Sequence, residues 1–508
     1  MTEAADLLLT NAEVHTLARP DETHEAVAVR DGEIVRVGSA YELDFLVGVE
    51  TRTVDLAGRV LLPGFVDAHT HLAMVGRALV HADLSGASGP EECITRLQDR
   101  ADEVADGAFV LGFRYDESEW AEPRYLTRAD LDRVDAAGPV VAFREDLHVA
   151  ALDSTALDRF RDELPDGGVR CEDGEPTGVV VEEAVDPVYA AIEPDAAEMN
   201  ELLTAAQDEA NARGVTGVHD MVRGSRAPEV YRDLDREGEL TLRVRLNYWS
   251  DHLDALVEAG LHTGHGTGMV EVGAIKTYTD GSIGGRTAKL SAPYDDGDGA
   301  GEWVVPPAEF RDVLAAAEDA GFQVAAHAIG DVAIDAVLDA YASSNRRGRH
   351  RVEHLELATD DAIARLADLD VVASVQPNFL KWAGDDGLYA SRLGDRRTDA
   401  NRFRTLADAG ATLAFGSDCM PLDPLYGVHR AVNAPVESQR LGVTEALRAY
   451  TLGAAYAGFD EDCLGTVEVG KRADLVALDR SPWEHPDAIE DVGVALTVVD
   501  GRVVHDGR

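Results

Sequence analysis

The hydrophobic pattern changes its period twice along the chain, and the two ends resemble each other more than either resembles the middle. Ala26-Val27-Ala28-Val29-Arg30 and Glu33-Ile34-Val35-Arg36-Val37 flank Asp31-Gly32, a dipeptide suited to positive φ, so this stretch predicts a β-hairpin. The far end repeats the design with Val494-Ala495-Leu496-Thr497-Val498-Val499, Asp500-Gly501 and Arg502-Val503-Val504-His505, after a strand-like Arg472-Ala473-Asp474-Leu475-Val476-Ala477-Leu478. Neither end can hold a core alone, so residues 1–62 and 465–508 are expected to pack together as one composite β-sandwich domain. Between them, short β-branched runs alternate with segments of helical period, such as Asp331-Val332-Ala333-Ile334-Asp335-Ala336-Val337-Leu338. Eight runs fall at 61–71, 214–220, 242–249, 272–279, 322–327, 351–357, 371–377 and 411–418. They predict an α/β fold, a (β/α)8 TIM barrel over residues 63–464. The long gap after the first run is too large for a loop, and residues 85–205 read as an inserted subdomain.

Composition narrows the class. The 508 residues hold 95 acidic and 46 basic side chains, a net charge of −49 with a pI of about 4.5, which repels nucleic acid and anionic membrane. With 45% hydrophobic residues the chain is not an acidic disordered tail. Only Lys276, Lys289, Lys381 and Lys471 are lysines, leaving 42 of the 46 basic residues as arginine. Pervasive acidity with scarce lysine suits a protein bathed in concentrated salt, as in halophilic organisms, so the charge describes the solvent rather than a partner. Cys93, Cys171, Cys419 and Cys463 are scattered, without CxxC spacing, and imply a reducing compartment. With no basic leader and no apolar stretch of about 18 residues, the expected location is the cytoplasm.

In such a barrel the C-terminal ends of the strands build the active site, and here they carry a set of metal ligands. His69 and His71 are two apart on the first strand and share a face. The fourth, fifth, sixth and eighth runs contribute Lys276, His327, His354 and Asp418. Imidazole and carboxylate are what a borderline divalent ion such as zinc accepts, at about 2.0–2.2 Å. Each residue has an ordinary alternative: His327 as a buried structural histidine, His354 as a helix-start ion pair with Glu353, Asp418 as a helix cap. All of these would have to hold together for the site to vanish. His15, His24, His81, His262, His265, His350, His429, His485 and His505 lie in polar or irregular contexts and are expected in solvent.

The segments Leu62-Pro63-Gly64-Phe65-Val66-Asp67-Ala68-His69-Thr70-His71, Lys276-Thr277-Tyr278-Thr279-Asp280-Gly281-Ser282-Ile283-Gly284-Gly285-Arg286, His327-Ala328-Ile329-Gly330-Asp331, Arg351-Val352-Glu353-His354, Phe415-Gly416-Ser417-Asp418 and Val469-Gly470-Lys471-Arg472-Ala473-Asp474-Leu475 occur in one order across nearly the whole chain. In this the sequence resembles the metal-dependent amidohydrolase superfamily, and within it the YtcJ-like branch, amidohydrolase family 3. Cys419-Met420 departs from the Ala-Pro usual there.

The resemblance implies two divalent ions, zinc being expected, one held mainly by His69, His71 and Asp418 and the other by His327 and His354, with a carboxylated Lys276 bridging them. It further implies Asp418 as general base and then acid in hydrolysis of a non-peptide carbon–nitrogen bond, such as that of an N-acyl or N-formyl amine. Cyclic-amide hydrolysis, deamination and a non-catalytic binding role remain as alternatives. His327 followed by Ala328-Ile329 lacks the HxE of nucleobase deaminases. Trp120, Arg144, His148, Asp280, Arg286, Gln376 and Trp382 are candidates for contact with a small-molecule substrate. The pattern does not give the oligomeric state, and a homodimer is compatible with it.

Overall fold

The computed structural model describes residues 4–19, 22–117, 120–145, 148–165, 167–344 and 348–508. Eight parallel strands form a nearly closed barrel in chain order: β1 (Phe65–Thr70), β2 (Val215–Val222), β3 (Arg243–Trp249), β4 (Val270–Tyr278), β5 (Val324–Ala328), β6 (Arg351–His354), β7 (Val372–Val375) and β8 (Leu413–Phe415). The seam between β8 and β1 is joined just past the end of β8, where Ser417 and Asp418 donate their backbone N–H groups to His69 O at 3.1 and 2.7 Å. Six of these strands are buried at every residue or all but one, as expected of a parallel sheet covered on both faces.

The run at 61–71 is two strands rather than the single one its apolar pattern suggests. Val60–Pro63 pairs antiparallel with Leu475–Leu478 in a terminal sheet, and β1 begins after Gly64. A Cβ on Gly64 would lie 2.3 Å from the Thr216 side chain, so glycine lets the chain pass against β2 at the junction. The terminal sheet holds six strands, mixing Glu13–His15, Thr23–His24 and Val60–Pro63 with Leu475–Leu478, Val494–Val499 and Arg502–Asp506. A four-stranded sheet of Leu7–Thr10, Ala26–Arg30, Glu33–Gly38 and Arg52–Asp55 shares an apolar cluster with it, including Leu9, Val27, Leu61, Leu475 and Leu496. Both hairpin turns have φ positive at each central residue: Asp31 51° and Gly32 75°, Asp500 49° and Gly501 75°. That geometry follows the twist of the strands they join.

Residues 72–206 and 225–230 form a separate compact unit. It contains a six-stranded sheet ordered Val169–Glu172, Glu175–Val181, Val149–Leu152, Val140–Arg144, Val110–Tyr115 and Ala82–Asp83. Alternate residues of Val140–Arg144 enter two apolar clusters, Val140 and Ala142 one, Val141 and Phe143 the other, so the sheet has a core on each face.

Candidate metal centre

Strand alternation sends Asp67 and His69 into the barrel, and the first turn beyond β1 carries His71. One buried Asp67 oxygen accepts the N–H of both His69 and Ser417 at 3.0 Å, pinning the ligand-bearing end of β1 to the chain leaving β8. Asp67 is held up at about 7, mainly by burial. Beyond the seam, Asp418 and Cys419 have φ of 51° and 55°, and at the end of β6 His354 and Leu355 have 71° and 50°. Left-handed backbone at non-glycine residues costs about 1–3 kcal/mol each, and here it turns ligand-bearing side chains at strand ends.

Each histidine has one ring nitrogen engaged, which fixes what the other can do. His69 Nδ1 lies 2.5 Å from Glu353 Oε2, His71 Nδ1 3.2 Å from Met221 O, and His354 Nδ1 2.8 Å from Gln376 Oε1. All three partners are acceptors, so each ring carries its proton on Nδ1 and offers the lone pair of Nε2. His327 is reversed. Its Nε2 donates to Gly281 O at 3.1 Å, while its buried Nδ1 has no hydrogen-bond partner among the described residues. The rings adjoin, with centroids 4.8 Å apart for His69–His354 and 4.5 Å for His327–His354. Asp418 Oδ1 stands 3.4 Å from His71 Nε2 and 3.7 Å from His69 Nε2. Ligand atoms of His69, His354 and Asp418 lie within 4.8 Å of one another.

The electrostatics agree with a site made for a cation. Burial, reinforced by the Lys276 charge and neighbouring rings, keeps His69 well below its usual range, and burial with its histidine neighbours does the same for His354. His327 falls to about 3, chiefly by burial. Lys276 is wholly buried, lowered to about 8 by desolvation, and its Nζ has no hydrogen-bond partner among the described residues. Imidazoles that each keep one nitrogen free, those of His69 and His354 brought close to the Asp418 carboxylate, and an unpartnered buried amine fit a divalent metal ion. Without one they would be buried polar groups left unpaired.

The other sequence candidates fall in distinct places. Gln376 is buried and orients His354. Asp280 is wholly buried, accepts the backbone N–H groups of Lys289, Ile329 and Gly330 at 2.8–3.1 Å, and sits 3.7 Å from His327 Nε2. Arg286 is exposed and forked onto Asp296. Trp382 is half-buried and tilted against Phe379, whose ring is parallel to that of His354. In the second unit, Trp120 is buried with its indole N–H on Ala87 O at 2.7 Å, Arg144 pairs with Glu117 and Asp116, and His148 is exposed beside Glu182. Asp146 and Leu147, next to Arg144 and His148, lie outside the described residues.

The histidines expected in solvent are not all there: His81 is half-buried, with its Nδ1 shielded from solvent. His350 is not in solvent: it is 4% exposed, accepts the Val324 N–H at Nδ1, and contacts Glu318 at 2.8 Å. The helix that follows β8, Pro424–Val432, is capped by Asp423, which leaves Asp418 free of that task. Glu353, Arg351 and His219 are buried contributors that the sequence reading did not single out as site residues. For Arg351 and Glu353 the signal was the charged i, i+2 alternation Arg351-Val352-Glu353 leading into His354.

Comparison with known proteins agrees with this geometry. The chain is 32% identical to the putative amidohydrolase YtcJ of Bacillus subtilis (strain 168), covering 97% of this chain and 98% of the relative. It is 28% identical to an N-substituted formamide deformylase of Arthrobacter pascens, over 99% and 98%. An uncharacterized metal-dependent hydrolase from Pyrococcus furiosus superposes with a TM-score of 0.80 at 31% identity, over 94% of this chain and 99% of that one. The amidohydrolase family model matches residues 52–505, a span that takes in all eight barrel strands, and the chain belongs to that family.

Proposed function

We propose that the protein is a metal-dependent hydrolase of a carbon–nitrogen bond other than a peptide bond, with N-formyl or N-acyl amines as the substrate class. The observation that carries the reading is the set of engaged nitrogens: three histidines are fixed to offer Nε2 and the fourth Nδ1, beside one carboxylate. The deformylase relative supports the bond type, and the Pyrococcus hydrolase supports metal dependence.

His69, His71 and Asp418 would hold one ion and His327 and His354 a second, zinc being the expected metal. Lys276 would be shared between them after its amine adds to carbon dioxide and loses a proton. A bound divalent ion supplies a Lewis acid that acidifies water and polarises a carbonyl. The protein's own part lies with Asp418. Its carboxylate takes a proton from the attacking water as the carbon–oxygen bond forms, and returns it to the nitrogen as the carbon–nitrogen bond breaks, leaving a carboxylic acid and an amine. The half-buried Tyr278 and buried Phe379 rings, against His327 and His354, keep bulk water from that side of the centre. The two terminal sheets are read as a composite sandwich, residues 85–205 as the inserted subdomain, and the location as cytoplasmic.

The test is elemental analysis of protein purified without chelator, then a screen of N-formyl amines, N-acyl amines, lactams and esters in molar salt. Asp418→Asn is expected to retain metal and lose about 10²-fold or more in turnover. Less than about half an equivalent of metal per chain would overturn the reading. Turnover of lactams alone would move the substrate class to cyclic amides.

A further inference from the structure

Glu353 is a wholly buried carboxylate that the proposed chemistry does not use. Its Oε2 lies 2.5 Å from His69 Nδ1 and accepts the Ser374 hydroxyl at 2.6 Å, while its Oε1 accepts Arg351 Nε at 2.7 Å. Arg351, 1% exposed, also donates to Ala68 O at 2.5 Å, Ser374 Oγ at 2.9 Å and His219 Nδ1 at 2.8 Å. The pair therefore sits on β6 inside the barrel and reaches β1, β2 and β7. A lone buried carboxylate would take up a proton or be expelled, but the adjacent guanidinium holds this one as an anion inside the barrel.

An anionic acceptor against Nδ1 does two things to an imidazole. It selects the Nδ1–H tautomer, and it raises the basicity of the opposite nitrogen. We propose that Glu353, held by Arg351, is a positioning residue of the metal centre: it locks His69 with Nε2 directed toward the ion, without touching ion or substrate itself. The proposal rests on the metal reading above and goes beyond it by assigning the affinity of one ligand to a carboxylate outside the ligand set. The competing role is purely architectural, in which the ion pair only ties four strands together.

Zinc affinity of the chelator-stripped protein, measured by competition with a chromophoric chelator, separates the two, with thermal unfolding in excess EDTA as the measure of fold. Glu353→Gln should weaken zinc by about 10- to 100-fold, and also lower the EDTA midpoint because Arg351 is left buried and unpaired. The double variant Arg351→Met with Glu353→Leu removes both charges at similar volume, so its EDTA midpoint should return toward the parent while zinc affinity stays about 10-fold or more below it. The visible spectrum of the cobalt(II) form should change in both variants. An architectural role predicts that affinity recovers together with stability. Zinc affinity within about twofold of parent in either folded variant, with an unchanged cobalt spectrum, overturns the proposal. A parent protein that binds no zinc at all sinks the metal reading instead, so the two failures are distinguishable.

Discussion

Gly416 stands where β8 meets β1, and it is the position at which one methyl group should damage the site most. A Cβ there would lie 2.5 Å from His69 N, 2.7 Å from His69 Cβ and 2.9 Å from His69 Cα, whereas ordinary contact begins near 3.4 Å. Relief requires the two segments to part by about 0.9 Å, and the nearest atoms are backbone, which no rotamer change can move. Parting by that amount would stretch the Ser417 N–H to His69 O bond from 3.1 Å to about 4.0 Å, beyond hydrogen-bonding range. The Asp67 link to Ser417 and the Asp418 link to His69 would loosen with it. Overpacking costs about 1–3 kcal/mol and the broken Ser417 hydrogen bond about 1 kcal/mol, so Gly416→Ala should lose at least about 2–4 kcal/mol of stability. The same shift moves Asp418 relative to His69 and His71, and a displacement near 1 Å at reacting groups can cost about 10²-fold in rate. Denaturant unfolding in EDTA, zinc competition and turnover measured on one preparation check all three quantities. Gly299→Ala, at an exposed position with nothing within 4 Å of the added methyl, is the control and should change none of them. If Gly416→Ala unfolds within about 0.5 kcal/mol of parent and keeps its zinc affinity and rate, the argument from the seam is wrong.

Three further outcomes are expected. Asp474→Ala leaves Arg243, bonded at 2.6 Å to Asp474 and 2.9 Å to Asp500, half-paired at the foot of β3, and should cost about 3 kcal/mol in chemical denaturation without changing zinc affinity. His81 is lowered to about 4 by burial and then by Arg100 and Arg77. Below the ordinary histidine pKa of 6.5 the unfolded chain binds a proton that the folded chain refuses, so this group subtracts stability as pH falls from 6.5 toward 4. His81→Gln should therefore flatten the pH dependence of stability in that window, and an unchanged slope would refute it. Finally, a net charge of −49 strains the folded chain by self-repulsion, so thermal midpoints should rise steeply from about 0.1 M to 2 M KCl, and a flat response would remove the halophilic reading.

The proposed ligand positions stand out in the sequence because a strand end combines two independent signals: β-branched runs locate it, and a titratable residue in so apolar a setting is conspicuous. The partners that orient those ligands were harder to read. Met221 and Gly281 act through backbone carbonyls, which carry no side-chain signature. Gln376 was assigned to substrate because it follows β7, yet its amide oxygen turns toward His354. His350, preceded by the polar Gly348-Arg349, reads as a solvent residue, but it opens the approach to β6 and the Tyr341 ring stacks on it. The break at Gly64 was hidden for a related reason. Apolar alternation runs unbroken from a terminal strand into a barrel strand, and only contact with Thr216 distinguishes the two.

The four lysines of an arginine-rich chain show why composition pointed to the site. Lys289 donates to Gly301 O, and Lys471 to Glu461 O and Leu464 O beside Glu468, so in both a compact ammonium gathers backbone carbonyls where a planar fork would not fit. Lys381 lies 4.7 Å over the Trp382 ring, a contact arginine could also make. Lys276 shares the ring contact but gathers no carbonyl among the described residues and is buried. It is wholly buried at the C-terminal half of β4, its Nζ is 5.1 Å over the Tyr278 ring, and among the described residues no acceptor meets it. Arginine there would bury five donors and stay charged, whereas a primary amine can lose its proton or be converted by carbon dioxide into a ligand. On the proposed halophilic reading the scarcity of lysine belongs to the surface and its salt, while on the proposed metal reading its presence at 276 belongs to the site, so the salt response and the metal content test the two separately.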